Sequence, residues 1–312
     1  RAVELGPEEG RLHGLLAQSD IQFSHRPSGK LHIYSSPKDL QAASIRVDAK
    51  RHWGCPQQLL DASACIALEP SLTWLKNSIA GGVYSPIDEV GDGPAFAKAL
   101  LQQMVEQNNV DQHFNCRIHK LVKKGNRIVG IETSRGLIEA DNYVLATGPD
   151  SLQLSREVGL NLPIWPIKGY SITVPSMEQA SNICITDVTN KVVVARIGEH
   201  LRIAGCADIV GYDASLDESR IQHLLDVCKQ RFPMAGDYDQ ILHRWSGFRP
   251  VTPSSAPIIG RAGADNLFLN LGHGMLGWTL AMGSASLVTA IIDGQPLARK
   301  MPGMAPADHG IG

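Results

Sequence analysis

The run Gly272-His273-Gly274-Met275-Leu276-Gly277 lies between two segments of opposite character. Before it, Asn266-Leu267-Phe268-Leu269-Asn270-Leu271 has the apolar content of a buried strand; after it, Trp278 to Ile292, rich in Ala, Leu, Ser and Thr, reads as a helix. Glycines at such a turn let the backbone approach a ligand closely, and the helix aims free N–H groups and its positive dipole end at that ligand. In a nucleotide-binding βαβ unit the helix feeds a second parallel strand, which ends near an acidic residue that grips the ribose. Here Asp293-Gly294 ends the helix and a Pro- and Gly-rich stretch follows, so a pyrophosphate cradle is not expected. A group that gains negative charge suits the turn better. A flavin ring is such a group on two-electron reduction. Close helix-on-strand packing accounts for the same spacing.

Arg249 is the second candidate. Pro250 holds it extended at a strand end, and a guanidinium is a rigid fork of donors that matches a carboxylate through two parallel hydrogen bonds. An ion pair internal to the fold is the competing role. Tyr84 and Tyr170 are the aromatic hydroxyls to inspect for substrate contact, although tyrosines on strands commonly serve packing. Neither a Ser/His/Asp nor a Cys/His nucleophile arrangement has local support.

These residues need elements to hold them. A strand is expected within His25 to Ser35, a helix over Pro37 to Trp53, a short strand in Pro56 to Asp61 and a helix over Ala62 to Leu68. Gly81 to Asp92 reads as a turn-rich crossing. Pro94 to Asn108 carries Phe96, Leu100, Leu101, Met104 and Val105 at helical spacing. From Asp111 short strands follow as a meander: His113 to Cys116, Ile118 to Lys123, Arg127 to Thr133 and Leu137 to Ala140, with Gly125-Asn126 and Arg135-Gly136 as turns. Asn142 to Gly148 is a buried strand followed by the small-residue turn Ala146-Thr147-Gly148. β-Branched residues return in Ile167 to Val174 and Lys191 to Gly205, a second sheet. A helix over Leu216 to Phe232 and a strand over Gln240 to Gly247 complete the run.

Read in order, Gly247-Phe248-Arg249-Pro250-Val251-Thr252-Pro253, Pro257-Ile258-Ile259-Gly260, Asn266 to Asn270 and Gly272 to Thr279 resemble the C-terminal segment of FAD-dependent D-amino acid dehydrogenases. That superfamily includes D-amino acid oxidase, glycine oxidase and sarcosine oxidase. Gly81 to Asp92 and Trp165 to Val174 agree, so the likeness runs from about Leu12 to Ile292. The wording Gly-His-Gly-x-Leu-Gly-Trp-Thr is more like the dehydrogenases than the oxidases. The resemblance implies an α/β (mixed α+β) fold in which an FAD-binding Rossmann-like domain interleaves with an antiparallel-sheet substrate domain. Residues 1–17, 91–163 and 245–293 would form the first, 18–90 and 164–244 the second, and 294–312 a flexible tail.

The resemblance further implies FAD as cofactor. Backbone contact with the flavin would come from Gly272, His273, Gly274, Met275, Leu276, Gly277 and Thr279. Ala146, Thr147 and Gly148 would lie along the cofactor and Ile118 would meet the adenine. Arg249, in its Gly-x-Arg-Pro motif, would bind the substrate carboxylate, with Tyr84 and Tyr170 nearby. The reaction would be oxidation of a D-amino acid by hydride transfer from the α-carbon to flavin N5, giving a 2-oxo acid and ammonia, with electrons passing to a quinone or other acceptor. An amine oxidase of the glycine or sarcosine type using oxygen, and a flavin-free subunit or fragment, are the alternatives. One departure is large. Relatives begin with a strand, a Gly-x-Gly-x-x-Gly turn, a helix and an acidic residue that hold the ADP half of FAD, and none of that precedes Arg1. The chain opens in what reads as a helix, Arg1 to Ala17, without an initiating Met, as expected of an N-terminally truncated piece of a longer polypeptide.

Composition bounds the rest. At 312 residues two domains are expected. The formal net charge of −2, with Lys and Arg scattered, argues against a nucleic-acid partner. No apolar run is read as approaching the roughly 18 residues that span a bilayer, so a cytoplasmic protein is expected, with peripheral contact at the inner membrane left open. The six cysteines and eleven histidines show no metal-ligand spacing, so no metal site is expected.

Overall fold

The computed structural model describes residues 21–52, 54–107, 110–296 and 302–311; the helix expected over Arg1 to Ala17 lies outside them. The chain forms β1 (Lys30–Tyr34), α1 (Pro37–Arg51), β2 (Gln58–Asp61), α2 (Ala62–Leu68), β3 (Gly81–Ser85), α3 (Gly93–Glu106), β4 (Ile118–Lys124), β5 (Arg127–Thr133), β6 (Gly136–Ile138), β7 (Tyr143–Leu145) and α4 (Ser151–Arg156). It continues through β8 (Trp165–Pro175), β9 (Cys184–Asp187), β10 (Val192–Ile197), β11 (His200–Asp208), α5 (Glu218–Arg231), β12 (His243–Val251), β13 (Ile258–Arg261), β14 (Leu267–Leu271) and α6 (Gly277–Ile292).

Local chemistry sets many of these boundaries. Ser36 accepts from the Asp39 N–H ahead of Pro37, and Asp61, Asp92 and Asp217 accept from N–H groups of the first turns of α2, α3 and α5. Side-chain oxygens there satisfy amides that no intrahelical carbonyl reaches. α6 differs, since its first residue follows Leu276 and no side chain caps it.

Eight strands make one large sheet in the order β12-β8-β11-β10-β9-β1-β3-β2, antiparallel except for β1 against β9. Because side chains alternate across a strand, the register assigns every residue to a face. On one face Leu31, Tyr170, Ile172, Ile185 and Ile203 pack with α5 through Ile221, Leu224 and Cys228 to form the main core. The opposite face carries Ile167, Gly169 and Ser171 of β8, across from Arg249, Gly247 and Trp245 of β12. Two three-stranded sheets complete the fold, β13-β14-β7 and β4-β5-β6. The buried Asn266 amide ties them together, its Nδ2 donating to the Ile128 carbonyl and its Oδ1 accepting from the Ile128 N–H. The chain thus enters the large sheet, leaves for the small ones after β3, and does the same again after β12.

Several expectations change here. β3 is a strand inside Gly81 to Asp92, held between β1 and β2. His113 to Cys116 forms no strand, and β9, β13 and α4 were not read from sequence. β12, assigned with residues 245–293 to the cofactor domain, pairs with β8 over nine residues and belongs to the large sheet. The expected flexible tail is packed where described: Met304 and Ile311 are buried, and the Met304 carbonyl accepts from the Ile259 N–H of β13. The reading that no apolar run approaches 18 residues is also corrected. Gly274–Ile292, at 19 residues, is long and apolar enough by length and composition to cross a membrane. In the fold, α6 packs on β13 and β14, burying Leu280, Gly283, Ser284, Leu287 and Val288. Its apolar content reflects that packing and, on another side, the Trp278 ring set edge-on against Phe23 and Phe96.

Candidate functional site

β14 and β7 run parallel, Leu267 beside Tyr143 and Leu269 beside Leu145. Their C-terminal ends therefore lie at the same edge, where open α/β sheets bind ligands. The turn Gly272 to Gly277 leaves one strand and Ala146 to Gly148 leaves the other. Gly272 has φ +76° and Gly274 φ +55°, a region that favours glycine. A Cβ on Gly272 would lie 2.6 Å from Thr252 Cγ2. His273 Nε2 is 2.8 Å from Ser284 Oγ, and burial lowers the His273 pKa, which keeps the ring neutral. The imidazole thus ties the turn to the body of α6. Thr147 Oγ1 is 2.8 Å from Ser151 Oγ and Gly148 has φ +59°.

The surface around these turns is apolar. Met275 is 80% exposed, and Leu276, Trp278 and Val144 are exposed as well. The Trp278 indole packs edge-on against Phe23 and Phe96, whereas Met275 and Leu276 stand out beside an uncapped helix N-terminus, an arrangement that suits a flat, apolar group whose edge gains negative charge. Thr279 is exposed on the first turn of α6. Ile118 stands apart from this group, at the exposed start of β4 on the third sheet.

An antiparallel bridge from Val251 to His273 joins the turn to the end of β12. Two residues before Val251 is Arg249, half-buried on the open face. Its guanidinium lies over Gly169, where a Cβ would be 2.2 Å from Nη1, and Nη1 donates to the Cys206 carbonyl at 3.2 Å. Cys206 adopts φ +60° at a register shift between Gly205 and Asp208. Among the described residues no carboxylate lies within ion-pair distance of Arg249, and burial lowers its pKa. A half-desolvated cation with unmatched donors has the chemistry to take an anion.

The two tyrosines are not brought to Arg249. Tyr170 follows Gly169, so it points to the covered face, where it is 2% exposed; burial and the Asp208 carboxylate push its pKa up to about 12. Tyr84 sits beside Leu31 on the same covered face, on β3, six strands from β12. Tyr170 is buried in the core, and Tyr84 packs against the same core while partly exposed. Lys168 also faces that side, with Nζ 3.8 Å from an Asp213 carboxylate oxygen. Sequence reasoning missed the placement of Gly169 and Cys206 against Arg249. A legible signal for the first was Gly169 and Gly247, each in a recognised motif and paired in adjacent strands.

The family model for FAD dependent oxidoreductases matches residues 5–291. A D-amino acid dehydrogenase of Paramagnetospirillum magneticum is 38% identical over 292 residues, covering 93% of this chain and 69% of that protein. A D-amino acid dehydrogenase of Neisseria meningitidis is 39% identical over 281 residues, covering 89% and 67%. Among solved structures, glycine oxidase from Geobacillus kaustophilus superposes with a TM-score of 0.84 at 21% identity, covering 97% of this chain and 80% of that one. At that identity the likeness speaks for the fold.

Proposed function

The chain belongs to the FAD dependent oxidoreductase family, and from that premise we propose that it oxidises D-amino acids to 2-oxo acids and ammonia, with electrons leaving to a quinone or comparable acceptor. FAD is the cofactor, and when bound it supplies the acceptor for the hydride that leaves the substrate α-carbon. Arg249 is the observation that carries the reading. It is a half-buried guanidinium without a carboxylate partner among the described residues, one short step along β12 from the Gly272 to Gly277 turn.

In this reading the residues divide the work. Gly272, Gly274 and Gly277 let the backbone close on the flavin, and the uncapped N-terminus of α6 offers N–H groups and dipole to charge developing at the ring edge. His273 holds the turn through Ser284. Met275, Leu276 and Thr279 line it, and Ala146, Thr147 and Gly148 run along the cofactor from β7. Arg249 grips the substrate carboxylate, which fixes the α-carbon over the flavin and leaves the neutral amine free. The chemistry requires orientation and a dry site, with no covalent nucleophile. A cytoplasmic enzyme, with its acceptor at the inner membrane, fits this scheme.

The test is the visible spectrum of the FAD-loaded protein under anaerobic conditions. Bleaching of the flavin band by D-alanine and not by L-alanine is the expected result. No bleaching by any D-amino acid overturns the reading, and stoichiometric peroxide on admitting oxygen would reassign the acceptor.

A further inference from the structure

Next to Arg249 the open face of the large sheet carries a second feature that the reaction as described leaves unused. Trp245 is 53% exposed although it sits in the middle of a β12 pairing, directly opposite Ser171. Its ring leans over Gly247, where a Cβ would be 2.3 Å from Cη2. Gly247 pairs with Gly169, the residue that the Arg249 guanidinium covers. The indole and the guanidinium thus lie side by side over two paired glycines, whose Cα atoms are about 5 Å apart as cross-strand partners. Arg202 reaches in from β11. Its Nη2 donates to Ser171 Oγ at 3.0 Å and its Cζ is 5.9 Å from the Trp245 ring. One cation thus links the ring to β8 and to β11, the strand beyond it.

The order along β12 is the indole, then Arg249, then the bridge to the cofactor turn at Val251. A substrate gripped at Arg249 with its α-carbon toward that turn has the Trp245 side available for its side chain. We propose that the indole of Trp245 is the wall of a side-chain subsite that favours bulky apolar D-amino acids over D-alanine, with Arg202 as the residue that positions it. Half-exposed aromatic surface beside an anion anchor binds a carboxylate with an apolar body, because the apolar part leaves water while the charge stays paired. This rests on Arg249 as carboxylate anchor, and it commits the site to one class of substrate.

The test uses amine-free carboxylates, which cannot be oxidised, so it is independent of turnover. Propanoate, 4-methylpentanoate and glutarate are titrated into the FAD-loaded protein and followed by flavin absorbance and tryptophan emission. The parent is expected to bind 4-methylpentanoate at least 10-fold more tightly than propanoate, against about 50-fold for complete burial of three added carbons. Trp245→Ala collapses that ratio to below 3. Trp245→Phe retains most of it, and Arg202→Met lowers it while shifting the indole emission, a pair of readouts that a merely structural role would not move. A ratio unchanged in Trp245→Ala overturns the proposal. So does tighter binding of glutarate than of 4-methylpentanoate that is lost in Arg202→Met, which would give the subsite to the Arg202 charge. If D-alanine bleaches the flavin and the ratio is flat, this proposal alone falls; if none of the three acids binds, the anchor falls with it.

Discussion

Gly169→Ala separates the substrate anchor from the stability of the fold. A Cβ at residue 169 would lie 2.2 Å from Arg249 Nη1, 2.3 Å from Nη2 and 2.4 Å from Cζ. Ordinary contact begins at 3.4 Å, so the guanidinium must retreat by about 1.2 Å. Its bond to the Cys206 carbonyl, already 3.2 Å, does not survive that shift. The atoms in the way are the free end of a long side chain, and the Gly169 backbone is not in the left-handed region, so the sheet has no reason to distort. An alanine inside a strand also removes the roughly 0.5–1 kcal/mol entropic disadvantage of glycine. Stability should hold or rise slightly. Activity should not: a misplacement of about 1 Å at a bound substrate costs on the order of 100-fold, and a hydrogen bond to a charged group is worth about 1.5–3 kcal/mol. We expect kcat/KM for a D-amino acid to fall about 10- to 100-fold, with FAD affinity unchanged. Steady-state kinetics, a flavin titration and a thermal melt decide it. Unchanged kcat/KM, or a loss that follows a drop in melting temperature, would refute the reasoning.

Arg249→Ala should raise KM for the amino acid at least 30-fold, since an unpaired buried carboxylate costs about 2–5 kcal/mol, and leave the flavin spectrum in place; equal KM in variant and parent counts against the anchor. Cys206→Gly should be neutral or stabilising by up to about 1 kcal/mol, because φ +60° suits glycine, whereas Cys206→Val should lower both the melting temperature and kcat/KM by displacing the carbonyl that holds Arg249. Half-buried His32 has its pKa lowered from 6.5 to about 4, chiefly by desolvation and then by Lys30 and Lys50. The unfolded chain takes up that proton first, so the stability is present above pH 6.5 and is lost progressively as pH falls toward 4, about 3 kcal/mol at most. His32→Gln should flatten the decline in melting temperature over that window, and an identical decline would remove His32 as its cause.

The parts of the site that were legible in sequence are the parts that local chain chemistry makes. The turn from Gly272 to Gly277 and the Gly-x-Arg-Pro segment announce themselves because glycine, proline and arginine constrain the backbone wherever they stand. Orientation within the large sheet was not legible. Tyr170 and Gly169 are neighbours in sequence and occupy opposite faces, and only the register of β8 with β12 and β11 tells which face holds Arg249. Trp165 to Pro175 shows no apolar-polar alternation that could have revealed it, since polar Lys168 and Ser171 occur on both faces. β12 was grouped with the cofactor segments for a related reason: its Gly-x-Arg-Pro motif reads as a site motif, while its hydrogen bonds are made with β8. The packed stretch near Met304 was missed because Pro and Gly dominate it, and one buried methionine is a weak signal.

The bridge between Val251 and His273 makes β12 a ruler. From Arg249 to the turn at the head of α6 there are two residues of extended chain, about 6.7 Å. That length is covalent geometry, insensitive to how the large and small sheets settle against one another. On the proposed reading, the strands and loops that shape a substrate's side chain could be exchanged while the reacting carbon keeps its distance from the oxidant. It also follows that an insertion or deletion between Arg249 and Val251 cannot be absorbed by relaxation elsewhere, whereas the β8 to β11 connections should accept changes of length.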